Sequence, residues 1–215
     1  MQPRSGTILG YEPRTLTQQN RPRETLGGFF MPKYHTIMAC LITDAPLFPA
    51  EPIFFTVATY RRRPILWDAP VRAALRPAIN TVQSRHPFTI DAWVLLPDHL
   101  HCIWTLPPDD NDFAGRWRLI KRSVSLVCAD NYRRPDWMTA SKIKHRESTF
   151  WQRRYWKHAI RNETDFSRHV DYIYINPVKH NHVARVVDWP YSTFIVMFPR
   201  VVMRLIGVVP RACCN

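Results

Sequence analysis

The sequence predicts an α+β domain, a small and mostly antiparallel sheet with helices on one or both faces. Three observations lead there. Strand-like and helix-like periodicities follow one another in the order β-α-β-β-α-β-α between residues 53 and 176. The strands are too few and too closely joined for a doubly wound parallel sheet. No internal repeat is visible.

Each element has its own signal. "IFFTVATY" (53–60) is rich in β-branched and aromatic residues and reads as a strand, ended by "RRRP" with Pro64. "APVRAALRPAINTVQSRH" (69–86) carries Val71, Ala74, Leu75, Ile79 and Val82 at helical spacing, and Pro77 is expected to kink it. "FTIDAWVLLPDHLHCIWTLP" (88–107) gives two strands broken near Pro97. "DNDFAGRWRLIKRSVSLVCADNY" (110–132) is helical, with Asp112 able to cap it and Leu119, Val124 and Val127 on an inner face. "RRPDWMTASKIKHRES" reads as a polar, basic linker. "FWQRRYWKHAIR" (150–161) alternates like a strand, and "NETDFSRHVDYIYIN" (162–176) is a helix stopped by Pro177.

The 215 residues suit one domain with ragged ends, and 46% hydrophobic content is enough for a core. The net charge of +13 points to nucleic acid, because neutralising phosphates releases counterions. The five cysteines, Cys40, Cys102, Cys128, Cys213 and Cys214, are odd in number and include no C-x-x-C spacing. They form no disulfide framework, so a reducing cytoplasm is expected. No stretch is long and apolar enough to span a membrane, and residues 1–28 have no apolar core of a signal peptide.

Two patterns carry chemistry. In "LLPDHLHCIW" (95–104), His99 and His101 are two apart on a strand, so they project from one face about 7 Å apart. Two imidazoles converging there can bind a divalent metal; a plain pair of half-exposed strand histidines is the alternative. Cys102 points to the opposite face and is a poor third ligand. In helix 162–176, Asn162 is a plausible cap, with Asp165 supporting the first turn. If Phe166 points at the core, Val170 and Ile173 lie near it, with Tyr174 about 80° away. Asp165, His169, Tyr172 and Asn176 form a separate stripe at spacings of four, three and four. Tyr174 therefore reads as core. Tyr172 and Asn176 lie one turn apart on a polar face, where a surface tyrosine and a helix-end residue are the plain alternatives.

"LPDHLHCIW" resembles the HUH motif (His, hydrophobic residue, His) of single-tyrosine HUH transposases, and "YIYIN" resembles their tyrosine helix. The strings "FTVATYRRRPIL", "RWRLIKRSVS", "FWQRRYWKHAIR", "YIYINPVKH" and "DWPYSTF" are similar to those of REP-associated tyrosine transposases, over roughly residues 54–194. The resemblance implies a ferredoxin-like HUH endonuclease fold. It also implies Mg²⁺ or Mn²⁺ held by His99, His101 and Asn176, and Tyr172 as the nucleophile. The substrate would be single-stranded or hairpin DNA, cleaved and rejoined through a 5′-phosphotyrosine. Arg61, Arg62, Arg63, Lys121, Arg122, Arg153 and Arg154 are candidate phosphate contacts, a solvated charge being the equal alternative for each. Monomer and homodimer both remain open, as does the choice of a tyrosine acting in its own subunit or a partner's. A hairpin-binding protein that has lost cleavage and a replication-initiator or relaxase-type nuclease are the competing readings. Two positions depart from the family: Asn181 stands where Gly is frequent, and Lys157 where an acidic residue is common.

The resemblance begins near Ile53 and stops after Phe194, both times abruptly. The domain is therefore set at 53–194, between an irregular segment (1–52) and an irregular tail (195–215). Both ends are expected to be translated out of frame. With permissible codons, regrouping bases turns Ala-Glu-Pro-Ile of "PAEPIFF" (49–55) into Gly-Gly-Thr-Tyr, family-like text. In the same shifted frame, "FIVMF" (194–198) can give "HRYV" and "VMRLIGV" (202–208) can give "YAADWGG". Sequencing the encoding DNA is expected to show such text at both junctions; its absence at both would make the ends genuine.

Overall fold

The computed structural model of the chain describes residues 51–195. The segments 1–52 and 195–215 thus lie outside the described residues, except Glu51, Pro52 and Ile195. Within the described part the elements run β1 (Ile53–Ala58), α1 (Ala69–Arg85), β2 (Thr89–Leu95), β3 (His99–Thr105), α2 (Phe113–Val127), α3 (Ala129–Tyr132), α4 (Ala140–Lys144), β4 (Trp156–Ala159) and α5 (Glu163–Lys179). The four strands form one sheet in the order β2-β3-β1-β4, every neighbour antiparallel. With β-α-β-β-α-β connectivity, this is the ferredoxin-like arrangement. No helix among the described residues is long and apolar enough to cross a membrane.

Strand alternation divides the core in two. Phe55, Val57, Leu100, Cys102 and Trp104 face α1 and α2, where they meet Val71, Leu75, Ile79, Trp117 and Ile120. Phe54, Ala92, Val94 and Ile103 point the other way and meet Val170, Ile173 and Tyr174 of α5. Helices therefore cover both faces. The two central strands, β1 and β3, are buried on each side, so all of β3 but Thr105 is buried, His99 and His101 included.

Several boundaries differ from expectation. The first strand ends at Ala58, and Tyr60–Arg62 form a 3₁₀ turn with Arg61 and Arg62 in the left-handed region (φ 58° and 55°). Helix α1 continues through Pro77, since buried residues before and after it outweigh one lost hydrogen bond. The helix expected over 110–132 divides at Cys128 into α2 and α3. The linker is not structureless. It holds α4 and a 3₁₀ turn (Pro135–Trp137), and it is anchored by buried Lys142, whose ammonium lies 3.9 Å over the Tyr60 ring. Only Trp156–Ala159 of 150–161 pair as a strand, because Gln152 turns aside to donate to Ala58 and Trp151 makes only a bridge to Thr59. Helix α5 runs past Pro177 to Lys179. The "DWPYSTF" segment edges β2: Leu95 donates to the Tyr191 carbonyl, Thr193 donates to the Trp93 carbonyl, and Trp189 Nε1 donates to Leu95.

One polar device sits in this fold. Arg116, 2% exposed, donates to both carboxylate oxygens of Asp110 and to the carbonyls of His86, Pro87 and Asp112. It ties the start of β2 to α2. The guanidinium hydrogen bonds hold the Asp110 carboxyl down at about 2. Arg116→Met should cost about 3 kcal/mol in urea unfolding, since it strips the loop of its donors and leaves Asp110 alone. Asp110 has a depressed pKa, so its share of stability is present above pH 3.8 and is lost as pH falls toward 2. Asp110→Asn should flatten that acid limb.

Candidate active site

His99 and His101 stand on the central strand β3, 5% and 2% exposed, with ring centres 4.8 Å apart and planes at 83°. They are buried, contrary to the half-exposed alternative, because α5 closes over this face. Cys102 lies in the opposite core, so it cannot join them. Antiparallel register sets Thr56 of β1 opposite His101, and Thr56 Oγ1 lies 2.8 Å from His101 Nδ1. The other ring nitrogen, His101 Nε2, is buried without a partner. His99 Nδ1 is hydrogen-bonded to Asp98 Oδ1, and Arg62 Nη1 lies 3.5 Å from Asp98 Oδ2. Burial raises the Asp98 pKa, but the His99 hydrogen bond and the charges of His99 and Arg62 outweigh it and hold the carboxyl below its ordinary value. A carboxylate behind one imidazole and a hydroxyl behind the other orient both rings, as outer partners of metal-bound histidines do.

Helix α5 supplies the remaining groups. Asn162 caps it, its side chain accepting from the Asp165 N–H at 2.9 Å. The apolar side is as expected: Val170, Ile173 and Tyr174 are buried, and the Tyr174 hydroxyl meets Thr193 Oγ1 at 3.2 Å. The stripe read as polar faces the sheet, not solvent. Asn176 is 0% exposed, and His169 is also buried. Half-buried Tyr172 has its ring centre 5.1 Å from that of His101 and 6.0 Å from Phe54. One turn beyond Asn176, His180 packs 5.7 Å from His99. Asn176 thus lies on the helix between two residues that touch the histidine pair. Both polar atoms of its amide are buried without partners.

These orphaned atoms test the donor set. If His101 Nδ1–H donates to Thr56, Nε2 presents a lone pair, and Asn176 Oδ1 is a second unpaired acceptor. Buried acceptors left alone cost about 1–3 kcal/mol each. Two imidazole nitrogens and an amide oxygen suit a divalent cation. A second cluster was not foreseen. His158, Asp165 and His169 bring ligand atoms within 4.8 Å of one another, a set that could also hold a metal ion. Here the groups already bond one another: Asp165 Oδ2 lies 2.8 Å from His158 Nε2, and the Asp165 carbonyl 2.8 Å from His169 Nδ1. The i,i+4 spacing of Asp165 and His169 was visible in the sequence; the approach of His158 depends on β4 pairing beside β1.

No known family profile matches the sequence. A REP-associated tyrosine transposase of Escherichia coli is 48% identical over 141 residues, 66% of this chain and 74% of that protein. The chain belongs to the REP-associated tyrosine transposases. A relative from Haemophilus influenzae is 40% identical over 119 residues, 55% of this chain and 66% of that one. The chain is also similar to a solved structure of a REP-associated tyrosine transposase bound to a REP hairpin. That match has a TM-score of 0.59 and 42% identity, and it covers 77% of this chain and 86% of that one.

In this transposase the basic residues singled out by sequence have different surroundings. Arg61 is exposed over the Trp137 ring at 4.5 Å, and exposed Arg62 faces Asp98. Arg122 and Arg154 are exposed, as is Arg153, which lies 3.4 Å from Glu147. Arg63 and Lys121 instead direct donors to the carbonyls of Tyr132 and Gln152, at 2.8 and 2.9 Å. Burial pushes the Lys121 ammonium down to about 8. Sequence reading missed Lys179, whose Nζ lies 5.2 Å over the Tyr172 ring, because it falls beyond Pro177. Asn181 has φ 58°, the left-handed geometry that its place in a Gly position requires.

Burial, then the charges of His99 and Arg62, push the His101 pKa well below 6.5. The unfolded chain therefore takes up this proton first as pH falls, and stability drops below pH 6.5. Urea unfolding at pH 7.5, 6.5 and 5.5 should show the decline, and His101→Asn should make it shallower.

Proposed function

We propose that this transposase cleaves and rejoins DNA at the single-stranded foot of REP-like hairpins, with Tyr172 as the nucleophile. The observation that carries the reading is the Tyr172 ring 5.1 Å from His101, whose Nε2 has no hydrogen-bond partner, on the helix that also carries the unpartnered Asn176 amide. His99, His101 and Asn176 would hold Mg²⁺ or Mn²⁺. Such an ion, when bound, withdraws charge from the scissile phosphate and offsets the charge that develops on it.

The chain's own residues do the rest. Tyr172 loses its phenolic proton, and its oxygen attacks phosphorus. The bond from phosphorus to the 3′-oxygen breaks, and that oxygen leaves as a 3′-hydroxyl after taking a proton. The 5′-phosphate remains esterified to Tyr172, so phosphodiester energy is conserved and an incoming 3′-hydroxyl can reverse the step. Thr56 and Asp98 fix the two imidazoles, and the helix sets Asn176 one turn from the tyrosine. The Tyr172 ring lies beside a histidine of its own chain, the arrangement that cleavage in cis would use. Exposed Arg61, Arg62, Arg122, Arg153 and Arg154 are the groups available for phosphates.

The test is covalent capture of a hairpin oligonucleotide carrying a single-stranded flank, read as a shifted band after denaturation. Wild type with Mn²⁺ should form the adduct, and excess EDTA should prevent it. Tyr172→Phe should form none while still binding the hairpin; Tyr174→Phe should form it. His101→Ala should lower adduct formation at least 100-fold, and Asn176→Ala should lower it less. An adduct on the Tyr172→Phe protein would overturn the assignment.

A further inference from the structure

We propose that Trp156 is a stacking platform for one unpaired base of the DNA substrate, next to the scissile phosphate; the inference rests on the function proposed above. The register is the first support. Thr56 pairs with Trp156 on β4 and with His101 on β3, so the three form one row across the sheet and share a face. The Thr56–His101 hydrogen bond fixes that face as the one bearing the histidines. With neighbouring strands about 4.8 Å apart, the indole stands about 10 Å from His101. A single ring, Phe54, bridges the gap: its centre lies 5.6 Å from Trp156, 5.5 Å from His101 and 6.0 Å from Tyr172.

Exposure and order are the second support. Strand β4 is at the sheet edge, and Trp156 is 53% exposed, although it is among the largest apolar side chains of the domain. Its orientation is nevertheless fixed on one side. The Trp156 ring lies parallel to that of His158 (4°, 6.0 Å), which in turn stacks on buried His169 (15°, 4.7 Å). His158 is held by Asp165, which also accepts from the Arg161 N–H at the start of α5. The His158–Asp165–His169 cluster thereby acquires a role as the brace of the indole. The exposed part of the ring faces water, and exposed Arg153 and Arg154 come just before it in the chain, Arg153 lying 3.4 Å from Glu147. A preordered aromatic beside phosphate-binding charge is how single strands are held without sequence readout. A base suits this place better than a protein side chain, because the protein carries +13 and its reacting group is a phosphodiester.

The test compares Trp156→Leu with Trp156→Phe on the full chain, using a hairpin oligonucleotide with single-stranded flanks and the same oligonucleotide carrying an abasic site at each flanking position in turn. Leucine keeps an apolar contact with Phe54 but offers no ring face, whereas phenylalanine keeps the face. Trp156→Leu should weaken hairpin affinity about 5- to 100-fold, and Trp156→Phe should recover most of it. At one abasic position wild type should bind as weakly as Trp156→Leu, with no further loss in the variant. A 2-aminopurine at that position should be quenched on binding wild type and not on binding the leucine variant. Unchanged affinity in Trp156→Leu would overturn the proposal. So would a loss that phenylalanine does not rescue, or one that adds fully to every abasic site. The two readings fail separately. Wild type that binds the hairpin but forms no adduct removes the cleavage chemistry and leaves the platform, whereas adduct formation with equal affinity in both variants does the reverse.

Discussion

A buried imidazole has two nitrogens to satisfy, and His101 satisfies one, through Thr56. Its remaining nitrogen lies on the face that α5 covers, and the Asn176 amide of that helix is also unsatisfied. Such a pocket is expensive in a folded protein, and the apolar contacts around it must hold it shut. Val170 and Ile173 do so from α5, against Phe54, Ala92, Val94 and Ile103 on the sheet. Burial of those side chains contributes about 2 kcal/mol each, enough to offset a few unpaired polar atoms. The same contacts fix the helix rotation, and so the position of Tyr172 over His101.

The far face of the sheet keeps this geometry rigid. Trp104 and Trp117 stack with centres 4.1 Å apart, and Phe55, Phe88 and Tyr155 crowd the same region. Because β1 and β3 belong to both cores, a shift of either strand would disturb two packed layers at once. A site on central strands and a long helix is held more closely than one on loops. Arg61, Arg62, Lys179 and His180, by contrast, are exposed.

Much of the site was legible because it follows simple periods. The spacing of two in His99-Leu100-His101 put both rings on one face, and the spacing of four from Tyr172 to Asn176 put them one turn apart. Tyr174 was separable from Tyr172 by the same geometry. What could not be read depends on which strands become neighbours. Thr56 is an unremarked strand residue until β1 pairs with β3, and His158 meets Asp165 only because β4 pairs with β1. The burial of His169 and Asn176 was missed for a related reason. A polar stripe reads as solvent-facing, whereas here the sheet beneath it is itself polar at His101 and Thr56. The linker went wrong through Lys142, a charged residue that packs on Tyr60 and pairs with Glu147 at 3.3 Å.

Pro177 is the most instructive of the differences. A residue before proline is pushed away from helical geometry, so Asn176 would ordinarily end α5. The helix nevertheless continues to Lys179, with the His180 N–H donating to the Asn176 carbonyl and the His182 N–H to that of Pro177. Left-handed Asn181 then turns the chain. The extra turn brings Lys179 over the Tyr172 ring and His180 beside His99. Had the helix stopped at Asn176, the site would lose two basic groups from its rim. Pro177 is itself buried. A residue that weakens an isolated helix is thus tolerated where the surrounding fold decides the backbone, and this occurs next to the buried, unpartnered amide of Asn176.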